Sequence, residues 1–423
     1  MTYLEKATRL EAEDPVESRR DRFHIPRGTN DQEVVYFCGN SLGLMPKEAE
    51  GDVLAELEDW RNLAVDGHHH ARRPWYPYHE SFRETGARLV GAMPGEVVYM
   101  NTLTANLHFL MASFYRPQGR KTRILSDAPT FPSDIYALQS QIRWHGGDIE
   151  RDMLVVHPQA GEDCLQDADI IRAIEENSGE VAMVMLAGVN FFTGQAYDLA
   201  KIAEVCQKYE IPFGVDLAHA AGNLHLTLHE DGVDFAAWCT YKYINCGPGA
   251  VAGAFVHEKH ARDESLVRLA GWWGNDPATR FQMDEKTDFI PHPGAEGWQV
   301  SNPPIFSMAP LHASLKIFDE VGMKALRERS IRMTNFLEEC IRDLGGDHYS
   351  LITPEDSHSR GAQISIRVHG DAPRLRESLQ GAGIVTDFRP PDVIRIAPTP
   401  LYNTYEEIAR FAKVLSEQME TGV

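Results

Sequence analysis

Lys242 and Asp216 are the side chains of this sequence whose placement most directly suggests chemistry. Lys242 stands in Thr240-Tyr241-Lys242-Tyr243, and Asp216 opens Asp216-Leu217-Ala218-His219. The apolar run 211–215 ends at Asp216, and the run 235–239 leads into Tyr241-Lys242; both read as buried strands. A lysine amine at one strand end can form a Schiff base with pyridoxal phosphate (PLP). A carboxylate at the next strand end can pair with the pyridine nitrogen and keep it protonated, so that the ring withdraws electrons from a substrate α-carbon. The same two residues also fit a plainer account, in which Lys242 is a solvated edge residue and Asp216 caps the following helix.

Other segments carry similar double readings. Asn101-Thr102-Leu103-Thr104-Ala105-Asn106 opens a helical pattern over 107–114. Hydroxyls and N–H groups at a helix start make an anion site, or an ordinary threonine cap. In Phe131-Pro132-Ser133-Asp134 an aromatic ring could stack on a cofactor and Asp134 could bond its polar edge; the alternative is a turn with an aspartate cap. Arg395 lies inside the apolar run Val393-Ile394-Arg395-Ile396-Ala397, where a buried charge needs a partner. That partner is either an internal carboxylate or the carboxylate of a substrate held by two hydrogen bonds. Asp387-Phe388-Arg389 could support it or add a polar contact.

Metal and nucleotide chemistry are not expected. The histidines of Gly67-His68-His69-His70 are consecutive and cannot all face one ion without strain, although one of them could touch a substrate. His257-Glu258-Lys259-His260 lacks the helical His-Glu-x-x-His spacing. The glycine-rich stretch 247–253 does not match a dinucleotide fingerprint, and Pro248 removes a donor there.

The middle of the chain positions these residues. Strand-like runs at 97–100, 123–125, 153–156, 182–186 and 212–215 alternate with helical patterns at 134–144, 167–176 and 198–209. Such alternation predicts an α/β unit with a largely parallel sheet, whose ligands bind beyond the carboxyl ends of the strands. From Pro310 a long helical pattern runs to about 344. Strand-like 363–368, a helix near 374–379, strand-like 393–397 and a closing helix follow. We expect three parts: an N-terminal segment 1–65 joining the small unit, a large unit 66–309 and a small α+β unit 310–423.

The chain has 423 residues, a net charge of -21 and 24% charged residues. An acidic surface of this size repels nucleic-acid phosphates and anionic lipid, so neither is expected as a partner. The six cysteines show no Cys-x-x-Cys spacing and suit a reducing, cytoplasmic setting. The first twenty residues lack the apolar core of a secretory signal. The longest apolar stretch, 181–189, is too short to span a bilayer.

Together these segments resemble the kynureninases, PLP-dependent enzymes of fold type I. The likeness runs from Tyr36-Phe37-Cys38-Gly39-Asn40-Ser41-Leu42-Gly43 to Ile394-Arg395-Ile396-Ala397-Pro398. Its most specific pieces are Asp216-Leu217-Ala218-His219, Tyr241-Lys242-Tyr243, Gly271-Trp272-Trp273-Gly274 and Ser301-Asn302-Pro303-Pro304. The resemblance implies a large domain with a mainly parallel seven-stranded sheet, a small α+β domain, and a homodimer with shared active sites. It implies that Lys242 binds PLP covalently, that Asp216 pairs with its ring nitrogen, and that His219 lies at the polar edge. Phe131 would stack on the ring with Asp134 close by. Leu103, Thr104 and the Tyr241 hydroxyl would hold the phosphate, and Trp272 and Asn302 would reach a cofactor across the dimer. Arg395 would take the substrate carboxylate, with Ser41 and His68 on the substrate side. Tyr241 is also the expected proton carrier. Where family members often carry a hydroxyl, this chain has Ala187, which puts one cofactor contact in doubt.

The implied reaction is hydrolytic Cβ–Cγ cleavage of L-kynurenine or 3-hydroxy-L-kynurenine to an anthranilate and L-alanine. His68 and Asn302 resemble the pair found in members that favour the 3-hydroxy substrate. The rival within the fold is a cysteine desulfurase or selenocysteine lyase, but those need a reactive cysteine on a late loop. The last cysteine here, Cys340, sits in a helical pattern. A protein that kept the fold without catalysis would have little reason to retain Lys242, Asp216 and Arg395 together.

Overall fold

The computed structural model describes residues 2–29, 31–263, 265–282 and 288–420. Thirteen strands occur among them. β1 (Val35–Tyr36) stands apart, and β2 (Val97–Tyr99), β3 (Arg123–Asp127), β4 (Met153–Val156), β5 (Val181–Ala187), β6 (Phe213–Asp216), β7 (Phe235–Trp238) and β8 (Gly253–Val256) form one sheet. β9 (Tyr349–Leu351), β10 (Ile364–Val368), β11 (Ile384–Val385), β12 (Asp387–Arg389) and β13 (Val393–Ile396) lie in the C-terminal part.

The seven-stranded sheet has the order β2-β8-β7-β6-β5-β3-β4. Its pairings are parallel from β4 through β7, and β8 runs against both of its neighbours. The largely parallel sheet read from the alternating pattern is therefore present. β8 was hidden in the sequence by its approach through Gly247-Pro248-Gly249. Continuous apolar strands such as β5, Val-Ala-Met-Val-Met-Leu-Ala, are buried on both faces because helices cover both sides of the sheet. The helix Leu199–Lys208 shows the local logic. Asp198 accepts a hydrogen bond from the Lys201 N–H as its cap, and Leu199, Ile202, Ala203 and Cys206 form its buried face.

A second sheet, β12-β13-β10-β9, is wholly antiparallel. Its core includes Met333, Phe336, Leu337, Ile364, Ile366, Ile394, Ile396 and Phe411, and takes in Ala7, Val35 and Phe37 from the N-terminal segment. β1 joins that part by pairing in parallel with β11. Phe23 and Leu44, also in the first 65 residues, pack instead into the core of the large sheet.

The long helix expected over 310–344 is two helices, Ile305–Val321 and Met323–Asp343. Gly322 separates them at φ +84°, a conformation open to glycine and costly for other residues. Pro310 lies within the first helix rather than at a break. Met308, Leu311, Leu315 and Phe318 of that helix, with Leu326 of the next, belong to the large core, and the small core begins at Met333. We propose that the two packing units divide near residue 330, inside the second helix. Among the described residues no helix is long and apolar enough to cross a membrane.

Candidate active site

Asp216 is the last residue of β6, and Lys242 follows β7 after the turn that begins at Cys239. Neighbouring parallel strands in register bring these two ends together: Asp216 pairs with Ala237, and the Leu217 N–H donates to the Ala237 carbonyl at 2.8 Å. The Lys242 turn is fixed from below. The Cys246 N–H donates to the Thr240 carbonyl at 3.0 Å, and the Thr240 hydroxyl donates to the Val251 carbonyl at 2.6 Å. The loop 39–43 lies against it. The Gly43 N–H donates to the Tyr241 carbonyl at 2.8 Å, and a Cβ on Gly43 would stand 2.3 Å from the Lys242 carbonyl oxygen. Only glycine allows that approach.

Lys242 opens into a cavity of about 210 Å³. Leu103, Thr104, Phe131, Asp134, Asp216, His219 and Tyr241 line it together with Lys242. Eight residues singled out in the sequence therefore share one cavity. The Lys242 ammonium stands 5.8 Å from the centre of the Phe131 ring, whose face is braced edge-on by Phe191 at 5.2 Å.

Two helices point their first turns at this space, Leu103–Phe114 and Pro132–Trp144. Neither Thr102 nor Phe131, the residues in cap position, makes a side-chain cap. The hydroxyls of Thr104 and Ser133 meet at 3.1 Å between the two helix starts. Uncapped N–H groups, two hydroxyls and two helix dipoles form a cradle for a multiply charged anion such as a phosphate.

At the other end of the cavity the electrostatics fit a cationic ring. Asp216 is buried and accepts the Ala218 N–H at 2.6 Å. The Asp134 carboxyl is pushed well above the usual range by burial, by the charge of Asp216 and by their mutual hydrogen bond. Burial also raises Asp216, against the Ala218 N–H and the nearby Lys242 charge. Two adjacent buried carboxyls share a proton until a cation faces them, and a protonated pyridine nitrogen is such a cation. His219 is held neutral, its pKa driven far down by burial and by the charges of Lys242, Arg395 and Arg389. Its Nδ1 is buried without a hydrogen-bond partner among the described residues. Burial, reinforced by Cys239 and Asp216, pushes the Tyr241 phenol up, so it stays a proton donor at neutral pH.

The remaining predicted residues lie elsewhere. Arg395 on β13 is fully buried; its Nε donates to Asp387 Oδ1 at 2.9 Å and its Nη1 to the Phe191 carbonyl. It thus stands behind the cavity wall, because Phe191 lines the cavity. Asp387 also accepts from Arg389 at 2.8 Å, so the internal ion pair weighed for Arg395 is present. Ser41 is exposed on the loop beside the Lys242 turn. His68 stacks on Tyr76 at 4.5 Å, and Tyr76 stacks on Trp273 at 5.6 Å. Trp272, 40% exposed, packs edge-on against Trp273. Asn302 is exposed and lines a separate hollow of about 300 Å³ that shares Thr102 with the first. None of Ser41, His68, Trp272 and Asn302 lines the Lys242 cavity of its own chain.

Ala187 does line the cavity, and its N–H donates to the buried Asp127 at 3.3 Å. Asp127 accepts as well from Asn190 at 3.2 Å and Tyr197 at 3.0 Å, and Asn190 donates to the Pro129 carbonyl at 2.9 Å. This buried network holds the segment that carries Phe131. The roles of Ser133 and Phe191 were not read from the sequence. Ser133 had a usable signal, a hydroxyl in the first turn of a helix. Phe191, in a loop, had none.

A lysine after one strand, an aspartate at the end of its neighbour with a second carboxyl beside it, and two uncapped helix starts around one cavity define a PLP-dependent enzyme of fold type I. The fold alone is shared with cysteine desulfurases from Thermococcus onnurineus (TM-score 0.75, 17% identity, covering 92% of this chain and 95% of that one) and Escherichia coli (TM-score 0.75, 15% identity, covering 96% and 98%). Residues 45–236 match the family model for aminotransferase class I and II, and residues 326–415 match that for the kynureninase C-terminal domain. The kynureninase of Myxococcus xanthus is 52% identical over 97% of this chain and 96% of its own length. That of Koribacter versatilis is 47% identical over 96% of both. The chain belongs to the kynureninase family of PLP-dependent hydrolases.

Proposed function

We propose that this chain cleaves the Cβ–Cγ bond of L-kynurenine and 3-hydroxy-L-kynurenine, consuming one water and releasing an anthranilate and L-alanine, with the 3-hydroxy substrate favoured. The observation that carries the reading is the convergence of Lys242, Asp216, Asp134 and the two uncapped helix starts in a chain of this family.

When bound, PLP supplies an electron-withdrawing ring conjugated to the carbon that bears the substrate amine. Lys242 would hold the cofactor through Nζ, and the same amine, when free, is placed to carry the substrate α-proton. Asp216 would place negative charge at the ring nitrogen, with Asp134, its carboxyl pushed up by burial and by Asp216, beside it. Thr104 and Ser133, with the backbone N–H groups of Leu103, Thr104 and Ser133, would receive the phosphate. Phe131 would cover one ring face. Tyr241 Oη donates and recovers a proton as water adds to the substrate carbonyl. Arg395 orients the substrate carboxylate from behind Phe191, with Asp387 fixing its guanidinium.

His68, Trp272 and Asn302 lie outside the cavity of their own chain, so they serve a site only in a homodimer, where they would reach the partner's cavity. An imidazole and an amide there would hydrogen-bond the ring hydroxyl of the 3-hydroxy substrate. We place the enzyme in the cytoplasm, in keeping with six cysteines that form no disulfide. A desulfurase reading lacks its nucleophile, because Cys340 is buried in the helix Met323–Asp343.

Product analysis with both substrates tests the assignment. Alanine should appear in equal amount to the aromatic acid, with the higher kcat/KM on 3-hydroxykynurenine. Sulfide from cysteine without alanine from either kynurenine would overturn the reaction, and equal or reversed kcat/KM would overturn the preference alone.

A further inference from the structure

Three side chains distant in sequence meet at the edge of the large sheet opposite Lys242. Glu96 immediately precedes β2, His229 lies in the short helix Leu228–Asp231, and His257 immediately follows β8. Val256 pairs with Phe235, the first residue of β7, whereas Lys242 comes after the last. One strand length therefore separates the cluster from the cavity.

Glu96 Oε1 lies 2.9 Å from His229 Nδ1 and 3.6 Å from His257 Nδ1. All three atoms lie within 4.8 Å of one another. Ligands of a tetrahedral zinc ion, at 2.0–2.1 Å from the metal, are about 3.3 Å apart. The cluster spans that value, and small rotations of the two rings would meet it.

The surroundings prepare these atoms for coordination. His257 Nε2 donates to the His229 carbonyl at 3.1 Å, which leaves the Nδ1 lone pair facing Glu96. A ring N–H given to a carbonyl is the support that orients metal-bound histidines. The same lone pair accepts the Lys259 N–H at 3.2 Å, a long contact that a metal would replace. The rings of His229 and His257 stack at 4.9 Å, so both present Nδ1 from the same side. The Glu96 side chain is only 1% exposed, and its position is fixed by the N–H groups of Met93 at 2.8 Å and Glu258 at 2.7 Å. His229 is 30% exposed, which leaves solvent access for a water as fourth ligand.

A second group, His79, Glu80 and Glu296, has comparable spacing. There the Arg83 guanidinium already neutralises Glu296, and a dication would have to displace it. Among the described residues no lysine or arginine is paired with Glu96.

We propose that Glu96, His229 and His257 form a binding site for a transition-metal dication of the zinc type, completed by water. Two neutral imidazoles and one carboxylate are a borderline donor set suited to Zn²⁺, Co²⁺ or Ni²⁺ rather than to Mg²⁺ or Ca²⁺. On binding, the His229 proton moves from Nδ1 to Nε2 and the metal takes the Nδ1 lone pair. The ion would tie the turn before β2 to the end of β8 and to the helix Leu228–Asp231.

Titration of the PLP-loaded enzyme with Zn²⁺, followed by calorimetry and by thermal unfolding, tests the site. One Zn²⁺ per chain and a rise in the unfolding midpoint are expected. His229→Ala and His257→Gln should each weaken binding by about ten-fold or more, since outer-shell partners alone are worth that much. A His69→Ala/His70→Ala double variant, altered in the other histidine cluster, should keep both effects. Co²⁺ added to the parent should give the visible band of a tetrahedral site, quenched by Zn²⁺. Absence of that band, or zinc binding by His229→Ala and His257→Gln equal to the parent's, would overturn the proposal.

Discussion

The Lys242 cavity and the aromatic patch around Tyr76 are both built from residues with clear chemical character, yet they are held in different ways. Lys242, Asp216 and Tyr241 sit where strands end, and a parallel ladder fixes strand ends relative to one another by backbone hydrogen bonds. His68 and Trp272 sit on a short helix and a helical turn, part-exposed and held by ring contacts to Tyr76 and Trp273, and Asn302 is exposed beside a separate hollow. The difference teaches that strand ends gather the first set of groups into one cavity of one chain, whereas the second set lies outside that cavity.

The contrast can be broken most sharply at Lys242. Lys242→Ala should lower kcat by about 10³-fold or more and abolish the visible band of covalently held cofactor. Turnover within ten-fold of the parent would show that the cavity is not the reaction centre.

Glu296 tests the second region. Burial raises its carboxyl, but His79 and Arg83 outweigh that and hold its pKa down at about 2. A folded-state pKa below the unfolded value stabilises the protein above about pH 4.5, and that stability is lost as pH falls towards 2. The depression corresponds to about 3 kcal/mol. Glu296→Gln should therefore unfold at lower denaturant concentration at pH 7, and the gap to the parent should close between about pH 4.5 and 2. A gap independent of pH would mean that Glu296 acts through packing alone. The Trp272–Gly274 turn packs against the Ala295–Trp298 turn, so this variant should also loosen the aromatic patch while leaving cofactor absorbance intact.

Gly43→Ala probes the joint between the loop 39–43 and the Lys242 turn. The added methyl would meet the Lys242 carbonyl and Asn245, at a cost of about 1–3 kcal/mol, with weaker retention of PLP on dialysis. Unchanged stability and retention would show that this loop is not part of the cavity's support. The smallest effect is expected at Asn302. Asn302→Ala should reduce the kcat/KM preference for 3-hydroxykynurenine by about ten-fold, the worth of one hydrogen bond, and leave kynurenine turnover near that of the parent. An unchanged ratio would remove Asn302 from substrate selection.

Much of the first region was legible because its signals are local. An apolar run ending in aspartate, a lysine just after another run and hydroxyls at a helix start each occupy a few consecutive residues. Parallel-sheet geometry then carries such ends to one edge. The double readings of Asp216, Thr104 and Arg395 could not be resolved along the chain. A cap, a phosphate ligand and an ion-pair partner differ only in what stands opposite. Arg395 proved to have its internal carboxylate, Asp387, and to lie behind Phe191 rather than in the cavity lining. Gly322 divided what read as one helix because an apolar pattern can continue in phase across a single glycine.

The sequence by itself determined the alternation of strands and helices, the strand ends that bear Lys242 and Asp216, and the kinship that names the chemistry. Only the tertiary structure decided that Asp134 stands against Asp216 so that its carboxyl is pushed up, that burial and nearby cations push His219 down, and that His68 and Trp272 belong to a patch outside the cavity. It alone placed Glu96 beside His229 and His257. Hydrophobic periodicity records which face of an element is buried, but pKa values and ligand sets depend on distances of a few ångströms between residues far apart in the chain, and folding alone sets those distances.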